Sequence, residues 1–212
     1  MPKADEQVLV VPEEKIFETG TFNGVATDPI VIGNVLKNAG IYASYKAHGL
    51  LEGDSSLKQL IPYVVVKRNK DYFAYVRLAG GGESRLNGKL SIGVGGHMNE
   101  IRVSDPIILG RTHGVSFTST LKENMQRELD EELEVSFKFK DCQYDYVGII
   151  NDGEDAVGAE HIGILVVVQI PPNGEVSVRE TESLEGRWMS KDELESYDGP
   201  IEPWTRYALE VV

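Results

Sequence analysis

The sequence predicts a mixed α+β domain, and three observations carry that reading. β-rich runs lie on both sides of one strongly periodic helix. Glycine and proline turns punctuate those runs at short intervals. The composition, 41% hydrophobic and 26% charged, supplies an ordinary globular core and is too apolar for a disordered chain. A length of 212 residues suits one domain, or one domain with an extension.

The elements follow in chain order. Val8–Val11 reads as a short strand, and Pro29–Lys37 as a short helix, in a glycine-broken stretch taken as an N-terminal extension over 1–58. The main domain, 59–212, opens with two β-rich runs, Leu60–Arg68 and Asp71–Leu78. Asn69-Lys70 between them is a hairpin signal. Leu90–Gly95 is a third strand, followed by a long insertion over 97–118 containing Pro106, Gly110 and Gly114. A loop of that length in a compact domain is commonly functional, so it is expected to shape substrate choice. Next comes the helix, Leu121–Glu134. Strands recur at Tyr144–Ile150 and His161–Ile170, turn at Pro171–Gly174, and continue in short pieces at Glu175–Val178 and Arg187–Met189. A helical stretch begins at Lys191. Strands on both sides of a helix argue for a mixed α/β or α+β domain.

Charge narrows the partners. The formal net charge is −13, and the densest basic stretch is Lys67-Arg68 with Lys70. Such a surface repels a nucleic-acid backbone, so long nucleic acid is not expected. A small phosphate compound remains open, because a divalent cation neutralises carboxylates and phosphates together. The single cysteine, Cys142, excludes an intramolecular disulfide and makes a cysteine-based zinc site implausible; it is expected to be half buried. The first residues carry no apolar signal segment, and the longest apolar run, Ile162–Ile170, is too short to span a bilayer. No membrane association is expected, and the expected compartment is the cytoplasm.

The helix carries the chemistry. Thr120 and Glu123 have capping-box spacing, which predicts a start near Leu121. Leu121, Met125, Leu129 and Leu133 recur every four residues and form the buried stripe. At about 100° per residue, Glu128 and Glu132 border that stripe and Glu131 flanks them. These like charges at helical spacing repel by about 0.2–0.5 kcal/mol per pair. Mg²⁺ or Mn²⁺, hard cations that take oxygen ligands, would compensate them. Arg127 is placed to pair with Glu123 or Glu131. A merely solvated acidic face is the plainer alternative.

Arg127-Glu128-Leu129-Asp130-Glu131-Glu132-Leu133-Glu134-Val135 resembles the core of the Nudix box, departing only at Glu134, where the family has glycine. Gly95-Gly96-His97 resembles the turn that opens the box, and Glu185-Gly186-Arg187-Trp188-Met189-Ser190 resembles the family's C-terminal signature. Further segments extend the likeness to a bacterial branch of predicted Nudix phosphoesterases. They include Val8–Pro12, Gln59–Tyr63, Gly82–Leu86, Ser91–Asn99 and Val157–Gly163. Two departures are clear. The loop after the glycines is expanded, and Ser119 stands at the family's helix-start glutamate.

The resemblance implies a Nudix-type α/β/α sandwich on a mixed sheet, and a metal-dependent hydrolase that cuts a diphosphate bond in a nucleotide-like small molecule. It implies metal ligands Glu128, Glu131 and Glu132 with the Gly96 carbonyl, and catalytic parts for Glu131 and Arg127. A loop acid before Trp188 is expected to be the general base, with Glu182 the first choice and Glu180, Glu185 and Glu160 behind it. Arg85 and His97 are expected to meet substrate. The rival reading is a catalytically weak nucleotide-binding or regulatory module on the same fold, and room is left for a homodimer. Gly82–Lys89 is not a P-loop, because five residues separate Gly82 from Gly88 and Leu90 stands where Ser or Thr must be. His48, His113 and His161 have no ligand spacing and read as ordinary strand or loop residues.

Overall fold

The computed structural model describes residues 3–18, 20–78, 86–101, 116–154, 156–179 and 181–212. Arg85, His113, Glu180 and most of the insertion lie outside them. In chain order the strands are β1 (Gln7–Pro12), β2 (Gly24–Ala26), β3 (Ser44–Ala47), β4 (Leu57–Arg68), β5 (Asp71–Arg77), β6 (Leu90–Ser91) and β7 (Gly93–Gly95). They continue as β8 (Leu133–Val135), β9 (Gln143–Asn151), β10 (His161–Gln169), β11 (Val176–Val178) and β12 (Leu184–Ser190). The α-helices are α1 (Glu13–Ile16), α2 (Pro29–Tyr42), α3 (Phe117–Glu132), α4 (Ala156–Glu160), α5 (Lys191–Glu195) and α6 (Pro203–Leu209). This is the mixed α+β class that the sequence predicts. The main sheet runs in the order β12–β5–β4–β10–β9–β2, and β11 pairs with β8 in a small second sheet.

Contacts divide the chain into two compact units. The first comprises Met1–Pro62, Gly96–Met125 and Ile149–Ile164. Here β1 pairs antiparallel with β3 and with the first residues of β4. Val8, Val10 and Leu51 form a buried cluster joined by Leu57. Helix α2 starts cleanly: Asp28 accepts from the Ile30 N–H at 2.8 Å, and Pro29 occupies the first turn, where no N–H is needed. It runs five residues beyond the expected Lys37, to Tyr42.

The second unit comprises Tyr63–Gly95, Gln126–Gly148 and Leu165–Val212. The β4–β5 hairpin turns at Asn69, whose φ of 57° is left-handed backbone that Asn tolerates. Strand β12 pairs with β5 along its whole length, from Leu184 opposite Arg77 to Ser190 opposite Asp71. The expected third strand is two short ones, β6 and β7, with Ile92 between them. A Cβ on Gly93 would run into the Tyr63 ring, so glycine is required there. The Ser190 and Glu193 side chains form a complete capping box at α5.

The helix α3 differs from the expectation at both ends. It starts at Phe117, and Ser116 Oγ accepts from the Ser119 N–H at 3.2 Å. Thr120 is therefore inside the helix and buried, not its cap. The helix ends at Glu132, where the Arg179 N–H bonds the Glu132 carbonyl at 2.9 Å. Leu133–Val135 then leaves the helix to pair with β11. The apolar stripe itself is as predicted: Leu121, Met125, Leu129 and Leu133 are all fully buried.

Candidate active site

Successive turns of α3 grade the three glutamates by burial. Glu128 is buried, Glu132 half buried and Glu131 exposed. The wheel places Glu131 farthest from the apolar stripe, which accounts for its exposure, whereas Glu128 and Glu132 both border the stripe and Glu132 is the last residue of the helix. Arg127 spans the cluster. Its Nη2 meets Glu128 Oε1 at 2.6 Å and its Nη1 meets Glu131 Oε2 at 3.0 Å. Of the two partners expected for Arg127, Glu131 is realised, and Glu128 is an addition.

Burial pushes the Glu128 carboxyl up to about 7. The Arg127 guanidinium pulls it down, and Glu131 and Glu132 push it further up. Glu128 is thus a buried carboxylate short of positive charge, despite its arginine. Strongly shifted groups of this kind mark candidate functional sites.

The donor chemistry suits a hard divalent cation, because all three side chains offer oxygen. Arg127 engages one oxygen of Glu128 and one of Glu131 and leaves the other of each. Among the described residues, no three His, Cys, Asp or Glu groups converge tightly enough to form a ready metal cage. A cation would draw the glutamate rotamers together.

At the far end of β5, a network joins residues that the sequence reading did not single out. Arg77 Nε donates to Glu202 Oε1 at 3.1 Å, and its Nη2 reaches the Tyr75 hydroxyl at 3.4 Å. The Tyr75 hydroxyl donates to the Gly93 carbonyl at 2.9 Å. Glu132 bears on the same network, raising the pKa of both Arg77 and Tyr75. The pairing is separated by 125 positions in the chain and leaves no local signature. Glu182 is exposed in the turn 181–183 that leads into β12, and that turn is tied down where the Leu78 N–H meets the Ser183 carbonyl at 2.7 Å.

In the first unit, Gly96 follows β7, and His97 is half buried. His97 Nε2 lies 3.1 Å from His161 Nε2, and the His48 ring centroid lies 4.8 Å from that of His97. His161 lies in β10 and His48 in the short turn His48–Leu50, and both meet His97 without forming a metal-holding group among the described residues. Cys142 is half buried beside β9, and burial together with Asp141 pushes its thiol up, away from the reactive thiolate.

No family model matches the chain. Protein YmaB of Bacillus subtilis is 41% identical over 218 aligned residues, covering all of both chains. The crystal structure of Tm1382, a candidate Nudix hydrolase, superposes with a TM-score of 0.75 at 25% identity, covering 97% of each chain. The chain belongs to the Nudix superfamily. As a Nudix protein it carries Glu134 in place of the box glycine, and the structure explains why this is tolerated. Glu134 sits exposed in β8, opposite Ser177, and needs no left-handed backbone. Ser119, at the Nudix helix-start position, is exposed in the first turn of α3 and serves the Ser116 cap. Among the described residues of this Nudix chain, no helix is long and apolar enough to cross a membrane.

Proposed function

We propose that the chain is a hydrolase of a diphosphate bond in a nucleotide-like small molecule, with Glu128, Glu131 and Glu132 holding Mg²⁺ or Mn²⁺. The observation that carries this reading is Glu128, a buried carboxylate held near pH 7 among like charges on the Nudix helix. The likeness to Tm1382, itself a candidate Nudix hydrolase, supports it. A bound cation would lower the pKa of a water and neutralise charge on the bridging phosphates.

The chain's own residues do the rest. Arg127 pairs with both Glu128 and Glu131 and keeps their carboxylates on one side of the helix, where a cation would draw them together. Glu182 takes the proton from the attacking water as general base. It is exposed in the turn 181–183, where water reaches it.

The test is a screen of nucleoside di- and triphosphates, ADP-ribose, dinucleoside polyphosphates and NADH with Mg²⁺ or Mn²⁺. Release of phosphate or nucleotide is the readout. At least one class should turn over with metal and stop in EDTA. Tight binding without release in any class would favour the nucleotide-binding module, and neither binding nor release would remove the reading.

A further inference from the structure

Arg77 closes β5 as a cation with rigid, buried backing and one edge that is open among the described residues. Glu202 holds Nε, and the Tyr75 ring lies under the guanidinium, 5.4 Å from its carbon. Both supports are buried, with Glu202 6% and Tyr75 1% exposed, whereas the Arg77 side chain is 25% exposed. Glu202 sits at the N-cap of α6, yet its carboxylate makes no capping bond there and is turned on Arg77. Among the described residues Nη1 has no acceptor, and the only bond of Nη2 is the long one to Tyr75.

A half-buried ion pair is poor value as a stabiliser, because desolvation offsets most of its Coulomb gain. A pinned guanidinium with an edge that no described residue occupies is instead suited to a bidentate anion. Its surroundings point the same way. Arg77 pairs with Leu184, two residues beyond Glu182, and the Glu132 charge bears on it.

We propose that Arg77 is a substrate-binding residue whose fork takes the non-bridging oxygens of the diphosphate, with Glu202 as its positioning residue. This rests on the diphosphate-hydrolase reading above. Glu132 and Glu202 are both negative, so the anion is expected to bind as its magnesium complex.

Isothermal titration of magnesium pyrophosphate into the full chain tests the assignment. Arg77→Gln should weaken binding by about 10- to 100-fold, the range for a hydrogen bond to a charged group. Arg77→Lys keeps the charge but not the fork and should still lose about tenfold. Glu202→Gln should give a smaller loss. Mn²⁺ affinity, read by electron paramagnetic resonance without pyrophosphate, should stay at the parent value in all three. Parent-like pyrophosphate affinity in Arg77→Gln and Arg77→Lys would overturn the assignment and leave the hydrolase reading standing. If Arg77→Gln does not fold, Arg77→Lys alone decides. Loss of Mn²⁺ affinity together with pyrophosphate would also overturn it, since Arg77 would then act through the helix cluster. Failure of the parent protein to bind magnesium pyrophosphate would instead remove the diphosphate reading itself.

Discussion

Glu182→Gln is expected to lower kcat by about 10²–10⁴-fold, the usual loss with a general base, and to leave Mn²⁺ affinity at the parent value. The physical case is a division of labour. A carboxylate that holds a cation is a poor base, because the positive charge depresses its pKa. Glu128 and Glu131 are further committed to Arg127. Glu182 is exposed in a turn anchored at Ser183, beside the end of β5 where Arg77 stands. Glu185 points from β12, opposite Val76, and Glu185→Gln should change kcat far less. Steady-state kinetics on the substrate found by the screen, paired with Mn²⁺ titration, separates the two roles. Near-normal kcat in Glu182→Gln would move the base elsewhere, with Glu160 next. Glu160 is half buried, and its Oε1 already accepts from the Gly53 N–H at 2.8 Å, which occupies one of its oxygens.

Glu128→Gln should make the protein more stable than the parent at pH 8 when metal is chelated, and about equally stable near pH 4.5. The sign follows from linkage. The folded-state pKa is raised, from 4.5 to about 7, so between those values the folded chain binds more protons than the unfolded one. Stability therefore falls as pH rises through that window and stays reduced above it. Each tenfold in the equilibrium is about 1.4 kcal/mol, so a pKa moved from 4.5 to about 7 sets the gap at pH 8 at about 3 kcal/mol. Urea unfolding in EDTA at the two pH values measures it. Saturating Mg²⁺ should reverse the order at pH 8, because only the parent retains the full donor set and gains stability from binding. A parent protein whose stability is flat from pH 5 to 8 in EDTA would show that Glu128 ionises without penalty.

Much of helix α3 was legible because burial on a helix is periodic. Leu121, Met125 and Leu129 mark the core face, and the glutamates are placed by counting from them. The start of the helix was not legible, because its buried face begins with polar residues. Thr120 and Asn124 are buried. Asn124 is satisfied by the backbone of Asn99, accepting from its N–H at 2.8 Å and donating to its carbonyl at 3.1 Å. An apolar count cannot see a buried asparagine whose partner lies in another segment. The capping-box spacing misled for a similar reason: Thr120–Glu123 has the pattern, but Ser190–Glu193 makes the bonds. Leu133-Glu134-Val135 reads as more helix, and only its partner β11 makes it a strand. The short strands β2 and β3 carry too little alternation to be recognised alone.

The site divides the same way. Arg127, Glu128, Glu131 and Glu132 are neighbours in sequence, so their proximity follows from helix geometry. Arg77 with Glu202, and His97 with His161, meet only through the tertiary fold.

The central claim is that the glutamates of α3 hold a divalent cation. Titration of Mn²⁺ into the parent protein and into the Glu131→Gln/Glu132→Gln double variant, followed by electron paramagnetic resonance, tests it most directly. The account predicts saturable binding in the parent and its loss in the double variant, with the fold of both verified by circular dichroism. Equal affinity in the two folded proteins would contradict it.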